Sequence, residues 1–330
     1  MLIRINDITK TFKLFKRKAG LSGSIKSFFN REYEYFTALK NINLNINKGE
    51  IVGILGENGA GKTTLIKLIV GLLHPSNGTI SVNSYNPWKR NHKFLSNISV
   101  VMGQKNQLWW DIPASESFLL NKHIYGLEDK EYKDTLNELV GYLGVEDKIN
   151  VQVRRLSLGE RMKMEIIAAL LHKPQIILLD EPTLGLDVIS QAKIREFVKF
   201  HNEKYNTTFV ITSHYTKDIQ EMCKRVFVLH KGQSIYDGNF NTLIKSINPD
   251  KKLIFEFFES PSETIIKNLE KTYKFNIRNN ILTSTMSEVE LQKLLKILLE
   301  KEIAKNISFE DLPVDDSMRS YFENPDKYIK

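Results

Sequence analysis

The sequence of 330 residues contains a single cysteine, Cys223, and no long uninterrupted apolar run. One thiol cannot form an intramolecular disulfide or supply the ligand set of a zinc finger, so both of these stabilising devices are excluded. A membrane span needs about 18 consecutive apolar residues, and the opening MLIRINDITK lacks the apolar region of a secretory signal. We therefore expect a soluble protein in a reducing compartment, the cytoplasm.

The chain is about twice the roughly 150 residues typical of one domain, which favours one large and one small domain. Lysine and arginine number 47 and aspartate and glutamate 39, giving a net charge of +8. This excess allows a nucleic-acid, anionic-lipid or nucleotide partner. The position of the charge distinguishes these partners.

The positive charge is concentrated near the N-terminus, where six basic residues and no acidic residue occur between Lys13 and Arg31. Apolar residues recur in the same stretch at spacings of three and four, which predicts a short amphipathic basic helix over residues 22–31. Two interpretations stay open: contact with an anionic membrane or a partner, and a solvated insertion that packs its apolar face on the domain.

Apolar runs alternate with helical patterns along the next 170 or so residues, the spacing of βαβ units. The predicted strands are 51–55, 79–82, 176–179 and 209–212, and the predicted helices are 63–73, 129–143 and 158–171. The alternation predicts a layered α/β core with a helical insertion.

A glycine-rich loop follows the first of these strands and fits the pattern G-x-x-x-x-G-K-[ST]. Glycines let backbone N–H groups surround phosphate oxygens, and the following helix N-terminus adds partial positive charge. Lys62 is expected to bridge the β- and γ-phosphates, Thr63 to offer its hydroxyl to Mg²⁺, and Thr64 to contact another phosphate. The predicted phosphate-binding residues are Gly56, Glu57, Asn58, Gly59, Ala60, Gly61, Lys62, Thr63 and Thr64.

The apolar run at 176–179 ends in two carboxylates, Asp180 and Glu181, followed by Pro182. Together with a phosphate loop, such an aspartate predicts a Mg²⁺ ligand. Glu181 lies one residue farther, where a carboxylate can polarise a water for in-line attack on the γ-phosphorus, so we expect it to be the general base.

The segment 156–160 (Leu-Ser-Leu-Gly-Glu) opens the helix before this strand. Ser157 is interpretable as a helix N-cap. Alternatively, its hydroxyl, the bare backbone of Gly159 and the helix N-terminus form an anion site for a γ-phosphate, on this subunit or on another.

In their order, these motifs resemble those of ATP-binding cassette (ABC) ATPases over about residues 1–239. The resemblance rests on the phosphate loop, a 157–160 segment similar to the LSGGQ signature, Asp180-Glu-Pro-Thr183, Gly185-Leu-Asp187 and Thr212-Ser-His214. It implies a P-loop NTPase fold, with a mixed core sheet and a helical subdomain, that hydrolyses ATP with Mg²⁺. It also implies a head-to-tail dimer, a homodimer, that holds two ATP molecules between phosphate loops and signatures.

The resemblance carries further roles to matching positions. Gln104 matches the glutamine that contacts Mg²⁺ and water, Asp187 matches the D-loop aspartate, and His214 matches the switch histidine, which would hold the attacking water with Glu181. The expected catalytic set is thus Glu181, His214 and Gln104, and the expected metal set is Thr63, Gln104 and Asp180. The expected nucleotide-binding residues at the dimer interface are Ser157, Gly159 and Asp187. Leu158 and Glu160 depart from the family's Gly and Gln.

The adenine platform is predicted to be Phe12, near the end of the first strand. Three other aromatic residues compete for this role, and each is equally interpretable as a core aromatic: Tyr33, Tyr35 and Phe36.

Two adjacent tryptophans, Trp109 and Trp110, follow Gln104, and one of them is equally interpretable as a core residue. With the basic stretch, they resemble the ATP-binding subunits of ABC-2-type exporters, particularly a viologen-exporter-like subgroup. That resemblance implies separate integral-membrane permease subunits and a position at the cytoplasmic face of the cell membrane. The concentration of positive charge in the stretch from Lys13 to Arg31, rather than on a nucleic-acid-binding motif, favours anionic lipid contact and no nucleic-acid partner. Leu108, Trp109 and Trp110 are the expected permease contacts. An importer motor and a soluble ABC ATPase acting on ribosomes or DNA are the rival functions.

The predicted domains are an ATP-binding domain over 1–245 and a small α+β accessory domain over 246–330. Within the first, the basic insertion spans about 13–36 and the helical subdomain about 88–172. The second is predicted to have the order βαββαβ, with a hairpin at Asn279-Asn280, and to lack a catalytic constellation.

Overall fold

The computed structural model describes residues 1–15, 33–103, 106–247, 250–259, 266, 269, 272–299, 304–311, 313–323 and 325. The chain divides into two compact units, residues 1–240 and 241–330. The helix predicted over 22–31 lies outside the described residues, as do Gln104 and most of the basic stretch.

The first unit is built from alternating strands and helices. Its described strands are β1 (Ile3–Phe15), β2 (Tyr33–Ile46), β3 (Ile51–Leu55), β4 (Asn77–Val82), β5 (Ile98–Met102), β6 (Ile176–Asp180), β7 (Thr208–Ser213), β8 (Arg225–His230) and β9 (Gln233–Asn239). Its described α-helices are α1 (Lys62–Ile69), α2 (His92–Leu95), α3 (Ala114–Tyr125), α4 (Asp129–Leu143), α5 (Leu158–Leu170), α6 (Val188–Tyr205) and α7 (Thr216–Met222). Helix α8 (Phe240–Ile247) begins at the last residue of this unit.

Six strands form the main sheet in the order β5-β6-β7-β3-β8-β9. The first five are parallel and β9 pairs antiparallel with β8. Every residue of β6 and β7 is buried, as expected for parallel strands covered on both faces. Because β3, β6 and β7 are adjacent and parallel, the segments that follow them meet at one edge of the sheet, the usual place for a ligand site.

A second sheet is antiparallel and has the order β2-β1-β4. Residues 13–15 and 33–36, at the ends of the predicted insertion, extend β1 and β2, so that Phe12 pairs with Phe36 and Phe15 with Tyr33. The two sheets share one core of aliphatic side chains, which includes Ile5, Leu44 and Ile54.

The predicted helix 63–73 ends early, at Ile69. The reason is local: Gly71 has a φ of 74°, and a Cβ there would lie 2.3 Å from the carbonyl oxygen of Pro87. This left-handed glycine terminates the helix.

The second unit contains β10 (Asp250–Phe257), β11 (Asn276–Arg278), β12 (Ile281–Ser287), α9 (Glu288–Leu299), β13 (Ala304–Asp311) and α10 (Val314–Glu323). Its sheet has the order β11-β12-β10-β13 and is antiparallel throughout. Asn279 and Asn280 connect β11 to β12 and have φ values of 48° and 63°. Positive φ at both central residues is typical of a two-residue β-hairpin turn, as predicted here. The core of this unit includes Leu253, Phe255 and Leu294. Helix α10 is an additional element that the sequence pattern does not predict.

In the described part of the chain, no helix combines the length and the apolar composition needed to span a bilayer.

Candidate functional site

The phosphate-type loop connects β3 to α1 and passes close to two neighbouring segments. Gly61 has a φ of 107°, and a Cβ there would lie 2.8 Å from the carbonyl oxygen of Ala38. A Cβ on Gly56 would lie 2.4 Å from the carbonyl oxygen of Leu229. Glycine is therefore required at both positions, which supports the interpretation of this loop as a backbone cradle.

Lys62, the first residue of α1, is buried, with 6% of its surface exposed. Its Nζ atom donates to the carbonyl oxygens of Gly56, at 2.7 Å, and Glu57, at 3.2 Å. The same atom lies 3.2 Å from Oε1 of Glu181. The lysine therefore links the loop to the segment that follows β6.

Asp180 is the last residue of β6, and two threonine hydroxyls donate to its carboxylate. Thr63 Oγ1 lies 2.8 Å from one oxygen and Thr212 Oγ1 lies 2.5 Å from the other. No trio of His, Cys, Asp and Glu side chains suited to a metal ion occurs among the described residues. The Thr63 and Asp180 oxygens fit Mg²⁺, which prefers oxygen donors and binds through one or two carboxylates together with waters and substrate phosphates.

Thr212 is a further site residue. It begins the motif 212–214, in which the sequence predicts a role only for His214. It pairs with Asp180 in the parallel register of β6 and β7. A hydroxyl opposite a strand-end carboxylate is the signal that identifies it, but using that signal requires knowing that the two strands are neighbours.

Glu181 has a left-handed backbone, with a φ of 55°. Its backbone N–H donates to Oγ1 of Thr212, with an N···O distance of 3.0 Å. The backbone nitrogen of Glu181 also lies 3.2 Å from the carbonyl oxygen of Thr212. Such a conformation costs a non-glycine residue about 1–3 kcal/mol and occurs frequently at functional sites. It turns the chain sharply at the end of β6.

His214 follows β7 and contacts the second oxygen of Glu181. Its Nδ1 atom lies 2.7 Å from Oε2, and its backbone N–H donates to the same oxygen at 3.4 Å. The Glu181 carboxylate therefore lies between the Lys62 ammonium and the His214 imidazole.

These groups line a cavity of about 560 Å³, within the ordinary range for ligand sites. The lining brings together most of the predicted site: Phe12, Glu57, Asn58, Gly59, Gly61, Lys62, Thr63, Thr64, Asp180, Glu181 and His214. Gly56 and Ala60 belong to the same loop without lining the cavity. Lining residues that the sequence did not single out are Ala38, Lys67, Met102, Gly103 and Leu184.

Phe12 and Phe36 both line the cavity, and they are directly paired on β1 and β2. Opposite residues of an antiparallel pair share one face of the sheet. Tyr35 is adjacent to Phe36 and therefore belongs to the other face. The ring of Phe12 also lies under the Lys10 ammonium, which is 5.0 Å from its centroid.

Ser157, Gly159 and Asp187 do not line this cavity. Ser157 is the N-cap of α5 and forms a reciprocal capping box with Glu160. A Cβ on Gly159 would lie 2.2 Å from Oγ of Ser190. Asp187 caps α6, and hydrogen bonds from the Ser190 side chain and backbone lower the pKa of its carboxyl.

The segment after position 105 is held by Glu165, a residue that belongs to none of the predicted motifs. The Glu165 carboxylate accepts from the backbone N–H groups of Gln107, at 2.9 Å, and Leu108, at 3.3 Å. Glu165 is buried in α5, and this burial raises its pKa. An acidic residue among the apolar positions of an amphipathic helix is the sequence signal for it.

The expectation that Leu108 contacts a permease is wrong, because this side chain is buried with only 5% exposed. Trp109 and Trp110 are 61% and 43% exposed, so neither is a core residue. The Arg161 guanidinium lies 5.1 Å from the ring centroid of Trp110.

Comparison with known proteins identifies the family. The family model described as ABC transporter matches residues 39–184. The chain is 37% identical over 218 residues to the ABC transporter ATP-binding protein NatA of Bacillus subtilis (strain 168), covering 66% of this chain and 88% of the relative. It is 30% identical over 288 residues to the linearmycin resistance ATP-binding protein LnrL of the same organism, covering 87% and 92%.

Two further similarities bear on function. The methionine import ATP-binding protein MetN 2 of Enterococcus faecalis (strain ATCC 700802 / V583) is 28% identical over 285 residues, covering 85% of this chain and 79% of that one. The dimeric post-hydrolysis structure of the ATP-binding cassette MJ0796, bound to ADP and Pi, aligns with a TM-score of 0.59 and 26% identity, covering 72% and 98%. The chain therefore belongs to the ATP-binding proteins of ABC transporters and has the P-loop ATPase fold of their cassettes.

Proposed function

We propose that the chain is the ATP-hydrolysing motor subunit of an ABC-2-type exporter of the viologen-exporter-like subgroup. The observation that carries the motor chemistry is the convergence of Lys62, Asp180, Glu181 and His214 on one cavity. ATP is the nucleotide that its ABC family binds. The exporter assignment rests on the sequence resemblance of two features taken together: the segment containing Trp109 and Trp110, and the basic stretch from Lys13 to Arg31.

In the proposed reaction, the loop from Gly56 to Thr64 binds the phosphates of ATP through its N–H groups. Lys62 attracts the oxygens of the β- and γ-phosphates. Glu181 takes a proton from water, whose oxygen attacks the γ-phosphorus while the bond to the β–γ bridging oxygen breaks. His214, 2.7 Å from Glu181, orients this carboxylate and the attacking water.

Thr63 and Asp180 are the described residues proposed to hold Mg²⁺, together with Gln104, which lies outside the described residues. When bound, Mg²⁺ would neutralise charge on the β- and γ-phosphate oxygens.

We further propose a homodimer in which Ser157 and Gly159 of one subunit complete the nucleotide site of the other, with Asp187 nearby. Two observations support this arrangement. Ser157 and Gly159 lie away from the cavity of their own chain, and the residues after Asp187 expose apolar side chains, Val188 by 72% and Ile189 by 81%.

Trp109 and Trp110 are the proposed contacts with a separate integral-membrane ABC-2 permease, at the cytoplasmic face of the membrane. Their exposure supports this role, since large exposed aromatic groups are typical of interface anchors. The basic stretch from Lys13 to Arg31 is proposed to contact anionic lipid. Exchange of its six basic residues for glutamine should then weaken association with anionic liposomes or with the permease, and unchanged association would identify the stretch as a solvated insertion.

Co-purification from membranes tests the permease assignment. The double variant Trp109→Ser, Trp110→Ser should lose most of the co-purifying permease while retaining ATP hydrolysis. Val289→Ser, an exposed apolar change in the second unit, is the matched control. Equal permease recovery from both variants would contradict the assigned contact, and recovery of ribosomes or DNA in place of a permease would contradict the motor function.

The direction of transport needs its own experiment, because one relative is named for linearmycin resistance and another for methionine import. A flux assay in vesicles should show ATP-dependent movement away from the side that carries this subunit. Movement in the opposite direction would identify an importer motor. Transport by the associated permease that depends on a solute-binding protein would do the same.

A further inference from the structure

Asp218, in α7, is a buried carboxylate that none of the proposed catalytic steps uses. Only 2% of its surface is exposed. Its Oδ2 atom accepts hydrogen bonds from the hydroxyl of Thr183 and from that of Ser213, the latter at 3.2 Å. Its Oδ1 atom accepts from Nη1 of Arg195 at 2.8 Å. Asp218 therefore joins three separate segments through one carboxylate.

Two of these segments carry the proposed catalytic pair. Thr183 lies two residues after Glu181, and Ser213 immediately precedes His214. The Ser213 hydroxyl also accepts from the backbone N–H of Tyr215, at 2.9 Å, on the other side of His214. Through the hydroxyls of Thr183 and Ser213, Asp218 thus connects the turn after β6 to the end of β7. These are the two segments in which Glu181 and His214 contact each other.

The charge of Asp218 is balanced inside the protein. Arg195, in α6, is 4% exposed, and its Nε atom lies 2.7 Å from a carboxylate oxygen of Glu221. A buried carboxylate is strongly unfavourable unless it is paired and its oxygens are hydrogen-bonded, and both conditions are met here. The Arg195 ion pair keeps Asp218 available as an acceptor for both hydroxyls.

Neither Asp218, Thr183 nor Arg195 lines the cavity. Their contacts act on the positions of the backbone segments that do reach the cavity.

We propose that Asp218, oriented by Arg195, is a positioning residue for ATP hydrolysis that sets the separation of Glu181 and His214 through Thr183 and Ser213. The inference rests on the proposed roles of Glu181 and His214. Loss of the Thr183 hydroxyl frees the turn that carries Glu181 but removes no group that contacts nucleotide. It should therefore lower kcat and leave the KM for ATP nearly unchanged.

Thr183→Val in the full chain is the decisive variant, because it removes one hydroxyl at nearly constant volume. A displacement of reacting groups by about 1 Å costs up to about 100-fold in rate, so we expect kcat to fall by about 10- to 100-fold. Thr183→Ser retains the hydroxyl and should restore most of the activity.

Thr208→Val is the matched control. Thr208 is fully buried at the start of β7, and its hydroxyl accepts from the backbone N–H of Gly49 at 2.8 Å, so this variant also loses one buried hydrogen bond. Its kcat should stay close to that of the unmodified chain. Equal reductions in kcat for the two variants would overturn the proposal and leave Asp218 with a purely structural role.

A spectroscopic measurement separates geometry from stability. In the ¹⁵N-labelled chain, the Nδ1 resonance of His214, assigned by its loss in His214→Gln, should shift in Thr183→Val and remain in place in Thr208→Val. If Thr183→Val does not fold, Ser213→Ala removes the other hydroxyl on Asp218 and should give the same shift and the same loss of kcat. An unmoved resonance would contradict the inference.

The proposed function fails in a different way. If the unmodified chain does not hydrolyse ATP, or Glu181→Gln retains full turnover, the proposed role of Glu181 is wrong. If Glu181→Gln is inactive and Thr183→Val hydrolyses ATP at the rate of the unmodified chain, only the positioning role of Asp218 is wrong.

Discussion

Lys62 Nζ lies 3.2 Å from Glu181 Oε1, so the cation of the phosphate loop and the proposed general base are in direct contact. The two residues come from segments more than 100 positions apart in the sequence. A phosphate that binds to Lys62 is thereby brought next to Glu181. Both residues are therefore expected to be needed for turnover, Lys62 by binding the phosphate and Glu181 by activating the water.

Lys62→Ala should abolish ATP hydrolysis, because it removes the ammonium that binds phosphate oxygens. Loss of a preorganised charge of this kind typically costs about 100- to 1,000-fold in kcat. Phosphate release by the purified chain measures the effect. Lys173→Ala, which removes a lysine paired with Glu131 on the surface, is the control and should retain activity. Undiminished hydrolysis in Lys62→Ala would contradict the assigned site.

Glu181→Gln should stop turnover while ATP remains bound, since the change removes the base and retains the size of the side chain. Bound ATP that is not hydrolysed should favour the dimer. Light scattering with ATP measures the mass of the assembly, and a filtration assay measures retained nucleotide. Glu131→Gln serves as the control. Monomers alone in the presence of ATP would count against the proposed dimer.

Phe12→Ala should weaken ATP binding, because the predicted adenine platform is lost. Stacking of one base on an aromatic ring is worth about 1–3 kcal/mol, or about 5- to 150-fold in affinity. Titration with a fluorescent ATP analogue measures the change, and Phe36→Ala tests the paired ring. Tyr35→Ala is the control, because Tyr35 belongs to the opposite face of the β1–β2 pair. A larger loss in Tyr35→Ala than in the phenylalanine variants would exclude this platform.

The stability of the first unit should fall as the pH is lowered from 6.5 to 4. Burial lowers the pKa of both His172 and His201 from 6.5 to about 4. The folded protein then binds fewer protons than the unfolded chain between these values, so each histidine contributes stability that is present above pH 6.5 and lost as the pH falls. A shift of this size corresponds to about 3 kcal/mol per histidine, as an order of magnitude.

Urea unfolding followed by tryptophan fluorescence measures this effect. All three tryptophans, Trp88, Trp109 and Trp110, lie in the first unit, so the signal reports that unit alone. His201→Phe removes one titrating group from an aromatic environment that includes Phe197 and Phe209, and it should reduce the loss between pH 6.5 and 4. An identical loss in the variant would show that His201 is not the source.

The sequence predicts the α/β fold and most of the cavity residues, because each rests on a local signal. A strand followed by a glycine loop with Lys62 and Thr63 has few other structural explanations, and helix α4 begins and ends at the predicted residues. The role of Leu108 was wrong for the opposite reason. Its neighbours Trp109 and Trp110 are exposed, and only packing shows that Leu108 is buried.

By itself, the sequence determined which side chains can do chemistry here: the loop lysine, the paired carboxylates at 180 and 181, and the histidine at 214. The tertiary structure decided which of them touch. The strand order β6-β7-β3 places Asp180 opposite Thr212 and sets Glu181 between Lys62 and His214. It also places the carboxylate of Asp218 beside the hydroxyls of Thr183 and Ser213. Such contacts depend on strand adjacency and on side-chain packing across the sheet, neither of which is encoded in any one stretch of local pattern.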